Sequence, residues 1–188
     1  MKGVRMNKIA KHPRKAFLLC FTFCSVLVCM GYAENAFAQQ TLQQLADRMA
    51  IAEQVARYSY AADGKDLKAF TALFTADAVW KIMPPGATEP SVMLKSRDEI
   101  RKFSEDLYKR NADIKTGHHQ SGLLFTELTA TSARTQNMIL VTHQGPEDKS
   151  PRIAASGVYY DTWRKTEAGW LIETRTLRMV PLQGVGPR

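Results

Sequence analysis

Three polar positions, set in apolar or helical surroundings, have the side chains that proton-transfer chemistry needs. They are Asp63, His118 with its neighbour His119, and His143. A carboxylate and two imidazoles can move protons at neutral pH, because imidazole titrates in that range and a carboxylate can orient it. If the fold brings them into one pocket, the chemistry they support is acid–base catalysis on a small molecule.

The role of each residue follows from what its side chain donates or accepts. His118 is the candidate base, and Asp63 would accept a hydrogen bond from one ring nitrogen so that the other stays free to take a proton. His143 would donate a hydrogen bond to a leaving oxygen or an enolate. We expect an apolar, water-poor pocket, which strengthens each of these interactions. The residues expected to contact the substrate are Tyr58, Trp80, Phe125 and Val141.

Each of these residues also has a purely structural interpretation. Asp63 follows a predicted helix and could bond to its own backbone there. His118 and His119 are adjacent, so on a strand their side chains face opposite ways; the 25-residue separation from His143 and the nearby Gly122 favour His118 as the inward one. Any of the histidines could be structural. A metal site from one carboxylate and two histidines is formally possible, but no HxH or HxxxH spacing supports it, so we expect neither metal nor cofactor.

The first 38 residues have the pattern of a secretory signal peptide. Six Lys and Arg residues precede or begin an apolar run over 16–33, and Ala36-Phe37-Ala38 offers small residues to a signal peptidase. We expect cleavage after Ala38 and a periplasmic or secreted protein; the rival is an uncleaved anchor, because the run is just long enough to span a bilayer. All three cysteines lie in this leader, so the mature chain has no disulfide and no thiolate metal site.

Residues 39–188 have the length of one domain with a single core. The leader holds six of the 26 basic and one of the 18 acidic residues, which leaves 20 and 17 and a net charge of +3. This small charge, and the lack of a basic run with interleaved aromatic residues, argue against nucleic-acid binding. Nor do we expect contact with a membrane once the leader is removed.

Hydrophobic periodicity predicts helices first and strands later. The predicted helices are 41–62, 66–74 and 97–111, the third with Ser96 and Glu99 as a capping pair. The predicted strands are 78–83, 92–95, 121–129, 133–144, 153–166 and 170–181. This order indicates an α+β fold, with the helices on one face of a curved, antiparallel sheet. Apolar residues such as Trp163 and Ile172 are expected on the open face, so we predict a homo-oligomer, either a dimer or a trimer.

Six short segments stand in an order that is specific as a set. They are Tyr58-Ser59-Tyr60-Ala61-Ala62-Asp63, Lys65-Asp66-Leu67, Leu73-Phe74-Thr75-Ala76-Asp77-Ala78, Gly117-His118, Val158-Tyr159-Tyr160-Asp161 and Gly169-Trp170-Leu171-Ile172. In these segments the chain resembles the SnoaL-like branch of the NTF2-like superfamily. The resemblance implies a cone-shaped α+β barrel, in which three N-terminal helices packed on a strongly curved, mostly antiparallel sheet enclose a deep pocket.

Within that superfamily the chain resembles scytalone dehydratase and hexachlorocyclohexane dehydrochlorinase. Both families place an Asp after the first helix and a His in a long strand, and the dehydratase adds a second His in the next strand; Asp63, His118 and His143 match these positions. The dehydratase also has two tyrosines where this chain has Ala62 and Ile82, whereas the dehydrochlorinase lacks them. The resemblance implies a metal-free lyase or isomerase for a small, hydrophobic, cyclic or aromatic substrate. The alternative is a non-catalytic ligand-binding or assembly module.

Overall fold

The structure of the protein is a computed structural model that describes residues 14–181, with side chains from residue 39 onward. The chain divides into two compact units, Met1–Gln43 and Gln44–Arg188. The predicted leader falls in the first unit, and its side chains lie outside the described residues. Over residues 39–181, no helix is long and apolar enough to cross a membrane.

Three helices form where periodicity predicts them, with differences in extent. They are α1 (Arg14–Asp63), α2 (Leu67–Ala72) and α3 (Arg97–Arg110). Helix α1 begins well before the predicted start at Thr41, because residues 32–44 contain neither glycine nor proline and are mostly good helix formers. Helix α2 is shorter than predicted, because Phe74 begins the first strand instead.

Side-chain caps fix the starts of the two shorter helices. At α2 the Asp66 carboxylate accepts a hydrogen bond from the amide of Ala69 at 2.9 Å. At α3 the Ser96 hydroxyl accepts one from the amide of Glu99 at 3.2 Å, and the Glu99 carboxylate accepts one from the amide of Lys95 at 2.8 Å. The predicted pairing of Ser96 with Glu99 is therefore confirmed. The Ser96 hydroxyl satisfies one amide of the first turn, and the Glu99 carboxylate binds back to the residue before the cap.

Six strands form one curved, mostly antiparallel sheet, which confirms the α+β architecture. They are β1 (Phe74–Met83), β2 (Val92–Leu94), β3 (Lys115–Leu128), β4 (Ser132–Gln144), β5 (Arg152–Thr166) and β6 (Gly169–Met179). The order across the sheet is β2-β1-β6-β5-β4-β3, and the sheet is not closed. Strands β3 to β6 form the predicted meander, whereas β1 pairs with β6 in parallel.

The core lies between the inner face of this sheet and the helices. Trp163 and Ile172, expected on the open face, are both fully buried in it. They pair across β5 and β6, and the Trp163 indole donates a hydrogen bond to the Thr135 hydroxyl at 2.8 Å. The reason is strand alternation, which places Trp163 on the same side as the buried Tyr159 and Asp161 of β5, and Ile172 on the same side as the buried Trp170 of β6. The exposed apolar residues of the outer face are instead Leu124, Met138 and Tyr160.

Candidate active site

Helix α1 ends in a Schellman motif that leaves Asp63 in its last turn. The amide of Asp66 donates to the carbonyl of Ala61 at 2.9 Å, and the amide of Lys65 donates to the carbonyl of Ala62 at 3.2 Å. These are the two bonds that define the motif, and Lys65 takes its left-handed position with φ of 53°. Because backbone groups close this turn, the Asp63 side chain is available to another element.

The Asp63 carboxylate accepts two hydrogen bonds from one residue of β3, His118. Its Oδ1 lies 2.5 Å from the ring Nδ1, and its Oδ2 accepts from the His118 backbone amide at 2.9 Å. The two side chains are only 28% and 15% exposed, Asp63 being the more exposed of the two. Since a carboxylate can only accept, the shared proton belongs to Nδ1, and Nε2 is the basic nitrogen of the neutral ring.

Strand alternation separates the two adjacent histidines. His118 lies opposite Val141 across β3 and β4, and its ring meets that of Tyr58 edge-on with centroids 5.9 Å apart. His119 is exposed, with its Nε2 3.2 Å from the hydroxyl of Thr142. The structure therefore places the favoured candidate, His118, against the carboxylate and the core.

His118 and His143 line one small pocket, which we call the histidine pocket. Its volume is about 170 Å³. Its lining residues are Ala62, Lys65, Leu107, Tyr108, Asn111, Thr116, His118, Val141 and His143. His143 and Val141 are two residues apart on β4 and so share a face of the sheet. Among the described residues, no group of three or more His, Cys, Asp and Glu side chains is placed to hold a metal ion.

The environment of His143 favours its neutral form. Partial burial, together with the charges of Arg152 and His118, lowers the pKa of His143 below its usual value. A neutral imidazole donates one hydrogen bond and accepts one. At neutral pH His143 can therefore act as a hydrogen-bonding group but not as a charged acid.

Two of the four residues expected to contact substrate, Val141 and Tyr58, lie beside His118. Val141 lines the histidine pocket, between His118 and His143. Tyr58 is buried in the core, where its ring lies against that of His118 and its hydroxyl is 3.4 Å from the hydroxyl of Tyr159. Val141 is thus placed to touch a ligand, whereas Tyr58 supports the ring of the candidate base.

The other two residues, Trp80 and Phe125, are not among those that line the histidine pocket. Trp80 belongs to an aromatic cluster in the core, where its ring meets that of Phe103 at 5.8 Å between centroids. Phe125 lies farther along β3, beyond an irregularity in the β3–β4 pairing, with the Arg48 guanidinium 4.5 Å over its ring. The structure does not bring these two side chains to the Asp63–His118 pair, which we call the dyad.

A buried ion pair behind the site escaped the sequence analysis. Arg175 is fully buried and donates to the two carboxylate oxygens of Asp161 at 2.8 and 2.7 Å. Its guanidinium lies 4.0 Å from the ring centroid of Tyr58 and 4.2 Å from that of Tyr159. Alternation along β5 places Asp161 on the same face as the buried Tyr159. Arg175 is inward only because an irregularity in the β5–β6 pairing after Ile172 shifts the alternation of β6, and the sequence does not announce that irregularity.

Tyr108 is the other residue that was missed. Its spacing with Leu107, Phe103 and Ile100 predicts a place on the apolar side of α3, which is the pattern of an ordinary core residue. In the structure it lines the histidine pocket. Periodicity identifies the side of the helix that faces inward, but it cannot show that a cavity lies there.

Two wider grooves are open to solvent. One, of about 740 Å³, runs along α1 and β3 and includes Asp63, His118 and His119 in its lining. The other, of about 530 Å³, involves α1, α2 and the turn between β5 and β6, and none of the histidines lines it. The first groove gives solvent a route to the carboxylate side of the dyad, while the histidine pocket borders the ring.

The SnoaL-like domain profile matches residues 43–176, which is most of the second unit. The chain therefore belongs to the SnoaL-like domain family, within the NTF2-like superfamily. The comparison with curated proteins gave no significant match.

Solved structures share the fold at low sequence identity. A protein of Novosphingobium aromaticivorans, provisionally named a scytalone dehydratase, is 24% identical with a TM-score of 0.65 over 79% of this chain and 93% of its own. An NTF2-like protein with a cystatin-like fold from the same organism is 23% identical, with a TM-score of 0.65 over 79% and 90%. A single-residue variant of Rv3472, a protein of unknown function from Mycobacterium tuberculosis, is 22% identical, with a TM-score of 0.64 over 76% and 77%. At these identities the likeness shows the fold alone.

Proposed function

We propose that the protein is a metal-free lyase or isomerase that removes a proton from a small, hydrophobic, cyclic or aromatic molecule. The observation that carries this proposal is the pairing of Asp63 with His118 at 2.5 Å beside a pocket that His143 also lines. The likeness of fold to the protein provisionally named a scytalone dehydratase supports the same reaction class.

His118 is the base in this mechanism. Its Nε2 takes a proton from a C–H group held within about 3 Å, and the electron pair of that bond moves toward a neighbouring carbonyl oxygen or expels a leaving group. The Asp63 carboxylate stabilises the imidazolium that forms, through its bond to Nδ1. General acid–base help of this kind contributes about 10²–10⁴-fold to the rate.

His143 completes the set on the neighbouring strand, β4. As a neutral imidazole it donates a hydrogen bond to the oxygen that gains negative charge. For an isomerase, His118 then returns its proton to a different atom of the substrate. For a lyase, that proton leaves with the departing group, and the double bond stays in the product.

The test is hydrogen–deuterium exchange at acidic C–H groups, which needs no knowledge of the physiological substrate. Small cyclic ketones such as cyclohexanone are incubated with the protein in D₂O, and loss of the α-proton signal is followed by NMR. The wild type is expected to accelerate exchange, and His118→Ala to lower that acceleration by about 10²-fold or more. His119→Ala is the matched control and retains it. Equal acceleration by His118→Ala and the wild type excludes the proposed base.

A non-catalytic ligand-binding or assembly module is the second candidate. Ala62 and Ile82, which replace the two tyrosines of the dehydratase pattern, favour it. A module without catalytic activity would not need a hydrogen bond between Asp63 and His118. In the structure Asp63 Oδ1 and His118 Nδ1 are 2.5 Å apart, which is within hydrogen-bond range. The exchange experiment separates the two, since a binding module would bind the ketone without exchanging its protons.

We also propose that the mature protein is periplasmic or secreted and forms a homo-oligomer. The signal-peptide pattern of residues 1–38 supports export, and the exposed Leu124, Met138 and Tyr160 support self-association. Cell fractionation followed by N-terminal sequencing tests export, with Gln39 expected as the first residue. Recovery of the intact N-terminus in the membrane fraction would favour the uncleaved anchor.

A further inference from the structure

Tyr108 lines the histidine pocket and carries a buried hydroxyl group. The ring packs against Phe70, with centroids 6.2 Å apart, and α3 directs the residue to the pocket that His118 and His143 also line. The hydroxyl oxygen is buried, yet it has no hydrogen-bond partner among the described residues. Buried polar groups without partners are uncommon, and near a cavity they point to a ligand that supplies the missing partner.

The hydroxyl keeps its proton at the site. Burial, aided by the nearby Tyr58, Asp63 and Asp66, raises the pKa of Tyr108 far above its usual value. A phenol that stays protonated donates a hydrogen bond to an oxygen atom and does not compete with His118 as a base. The complementary group on a ligand is therefore an acceptor, such as a carbonyl oxygen.

The neighbouring cation is already engaged. Lys65 also lines the pocket, but its ammonium group donates to the backbone carbonyls of Ala112 at 2.7 Å and Ile114 at 3.0 Å. Two of its three N–H bonds are thus used by the loop between α3 and β3. This arrangement suits a neutral oxygen on the ligand better than a carboxylate or phosphate.

The size of the pocket limits the ligand to about one ring. An apolar cavity of about 150 Å³ is known to hold benzene, and the histidine pocket has about 170 Å³. We propose that Tyr108 binds the carbonyl oxygen of a neutral, single-ring ketone whose α-proton faces His118. The substrate class rests on the proposed function, whereas the binding of a ring ketone through Tyr108 does not.

The same contact would assist the reaction. When His118 Nε2 takes the α-proton, the electrons of the C–H bond form a carbon–carbon double bond, and the carbonyl oxygen becomes negative. The phenol of Tyr108 keeps its own proton and strengthens its hydrogen bond to that oxygen. A donor already in place for the developing charge is the usual way in which proteins stabilise an enolate.

The test compares two ligands of the same shape, cyclohexanone and methylenecyclohexane, of which only the first has an oxygen. Dissociation constants are measured by NMR titration for the wild type, for Tyr108→Phe and for Tyr160→Phe, a control on the outer face of the sheet. The wild type and the control are expected to prefer the ketone. Tyr108→Phe should lose about 5-fold of that preference while binding the hydrocarbon as before.

The thermal stability of Tyr108→Phe provides a second measurement. Tyr108→Phe removes an unsatisfied buried hydroxyl, so its Tm is expected to equal or exceed that of the wild type. An unchanged ligand preference in Tyr108→Phe, or failure of the wild type to bind the ketone, overturns the proposal. A ketone preference that depends on Tyr108 without any proton exchange would uphold Tyr108 and reject the proposed reaction instead.

Discussion

Asp63 meets His118 through both of its carboxylate oxygens, and the two bonds have different effects. The bond to the backbone amide holds the start of β3 against the end of α1, and the bond to Nδ1 fixes the ring and its tautomer. A single bond to the ring would leave the carboxylate free to rotate. The doubled contact therefore positions the base more firmly than the pairing of two side chains would.

The lowered pKa of His143 predicts a pH-dependent contribution to stability. Above about pH 6.5, its usual pKa, His143 is neutral in both the folded and the unfolded chain, and the contribution is fully present. As the pH falls, the unfolded chain binds a proton first, so the folded state loses stability until the lowered pKa is passed. His143→Gln should therefore lose less stability than the wild type between pH 7.5 and pH 5.5.

Urea unfolding at the two pH values measures this difference. His119→Gln, which removes an exposed histidine of the adjacent strand, serves as the matched control. If His143→Gln shows the same pH dependence as the wild type, burial does not disfavour the charged form of His143.

The dyad was predictable from sequence, whereas two other residues near it were not. Asp63 and His118 stand out because a carboxylate at the end of a helix and an imidazole on a strand are the pair that acid–base chemistry needs, and strand alternation then separates His118 from its neighbour. Periodicity assigns Tyr108 to the core side of α3, whereas Arg175 is inward only because the alternation of β6 shifts after Ile172. Their importance depends on cavities and partners that come from other parts of the chain.

Lys65 connects the end of α1 to the loop before β3, at a cost in backbone strain. It adopts a left-handed φ of 53°, where a side chain is disfavoured by about 1–2 kcal/mol, and its ammonium group reaches two carbonyls of that loop. Lys65→Met loses the two hydrogen bonds and keeps the backbone strain. Lys65→Gly loses the two hydrogen bonds and also relieves the strain. We expect Lys65→Met to be the less stable variant by about 1 kcal/mol.

Chemical unfolding of the two variants provides the comparison. Amide hydrogen exchange should be faster in both variants at residues 112–116, because the loop has lost its tie to α1. Equal stability of the two variants would show that the left-handed turn is not strained.

The extents of the elements were less predictable than their existence. The parallel pairing of β1 with β6 joins distant parts of the chain, and no local turn signal announces it. The same pairing explains why α2 is short, because Phe74 pairs with Ile172 instead of extending the helix. The inward position of Trp163 follows from the parity of β5, which the apolar character of both faces conceals in the sequence.

The buried ion pair lies behind the site, and breaking it by removing one partner is expected to destabilise the whole domain. Arg175 is fully buried, and Asp161 is its only charged hydrogen-bond partner among the described residues. Asp161→Asn leaves a positive charge without its counter-charge, and we expect it to destabilise the fold by about 3–5 kcal/mol.

A double variant separates this charge effect from lost packing. Asp161→Leu combined with Arg175→Met removes both charges together, and it should recover much of the stability lost in Asp161→Asn. Thermal unfolding followed by circular dichroism provides the measurement. A loss below about 1 kcal/mol in the single variant would mean that water or another group compensates the guanidinium.

The proposed self-association concerns the outer face of the sheet. Leu124, Met138 and Tyr160 are 57%, 55% and 38% exposed there, and such apolar surface is typical of an interface. Met138→Glu would place a charge in that interface and should shift the protein toward the monomer. Sedimentation velocity measures the shift, and a monomeric wild type would contradict the proposal.

The protonation state of the His118 ring tests the central claim most directly. In ¹⁵N NMR spectra at pH 7.5, we predict a proton on Nδ1 and none on Nε2 in the wild type. In Asp63→Asn we predict that this preference weakens or reverses, because an amide can donate to Nδ1. A wild-type ring with its proton on Nε2 would contradict the account, since His118 would then have no basic nitrogen for the substrate.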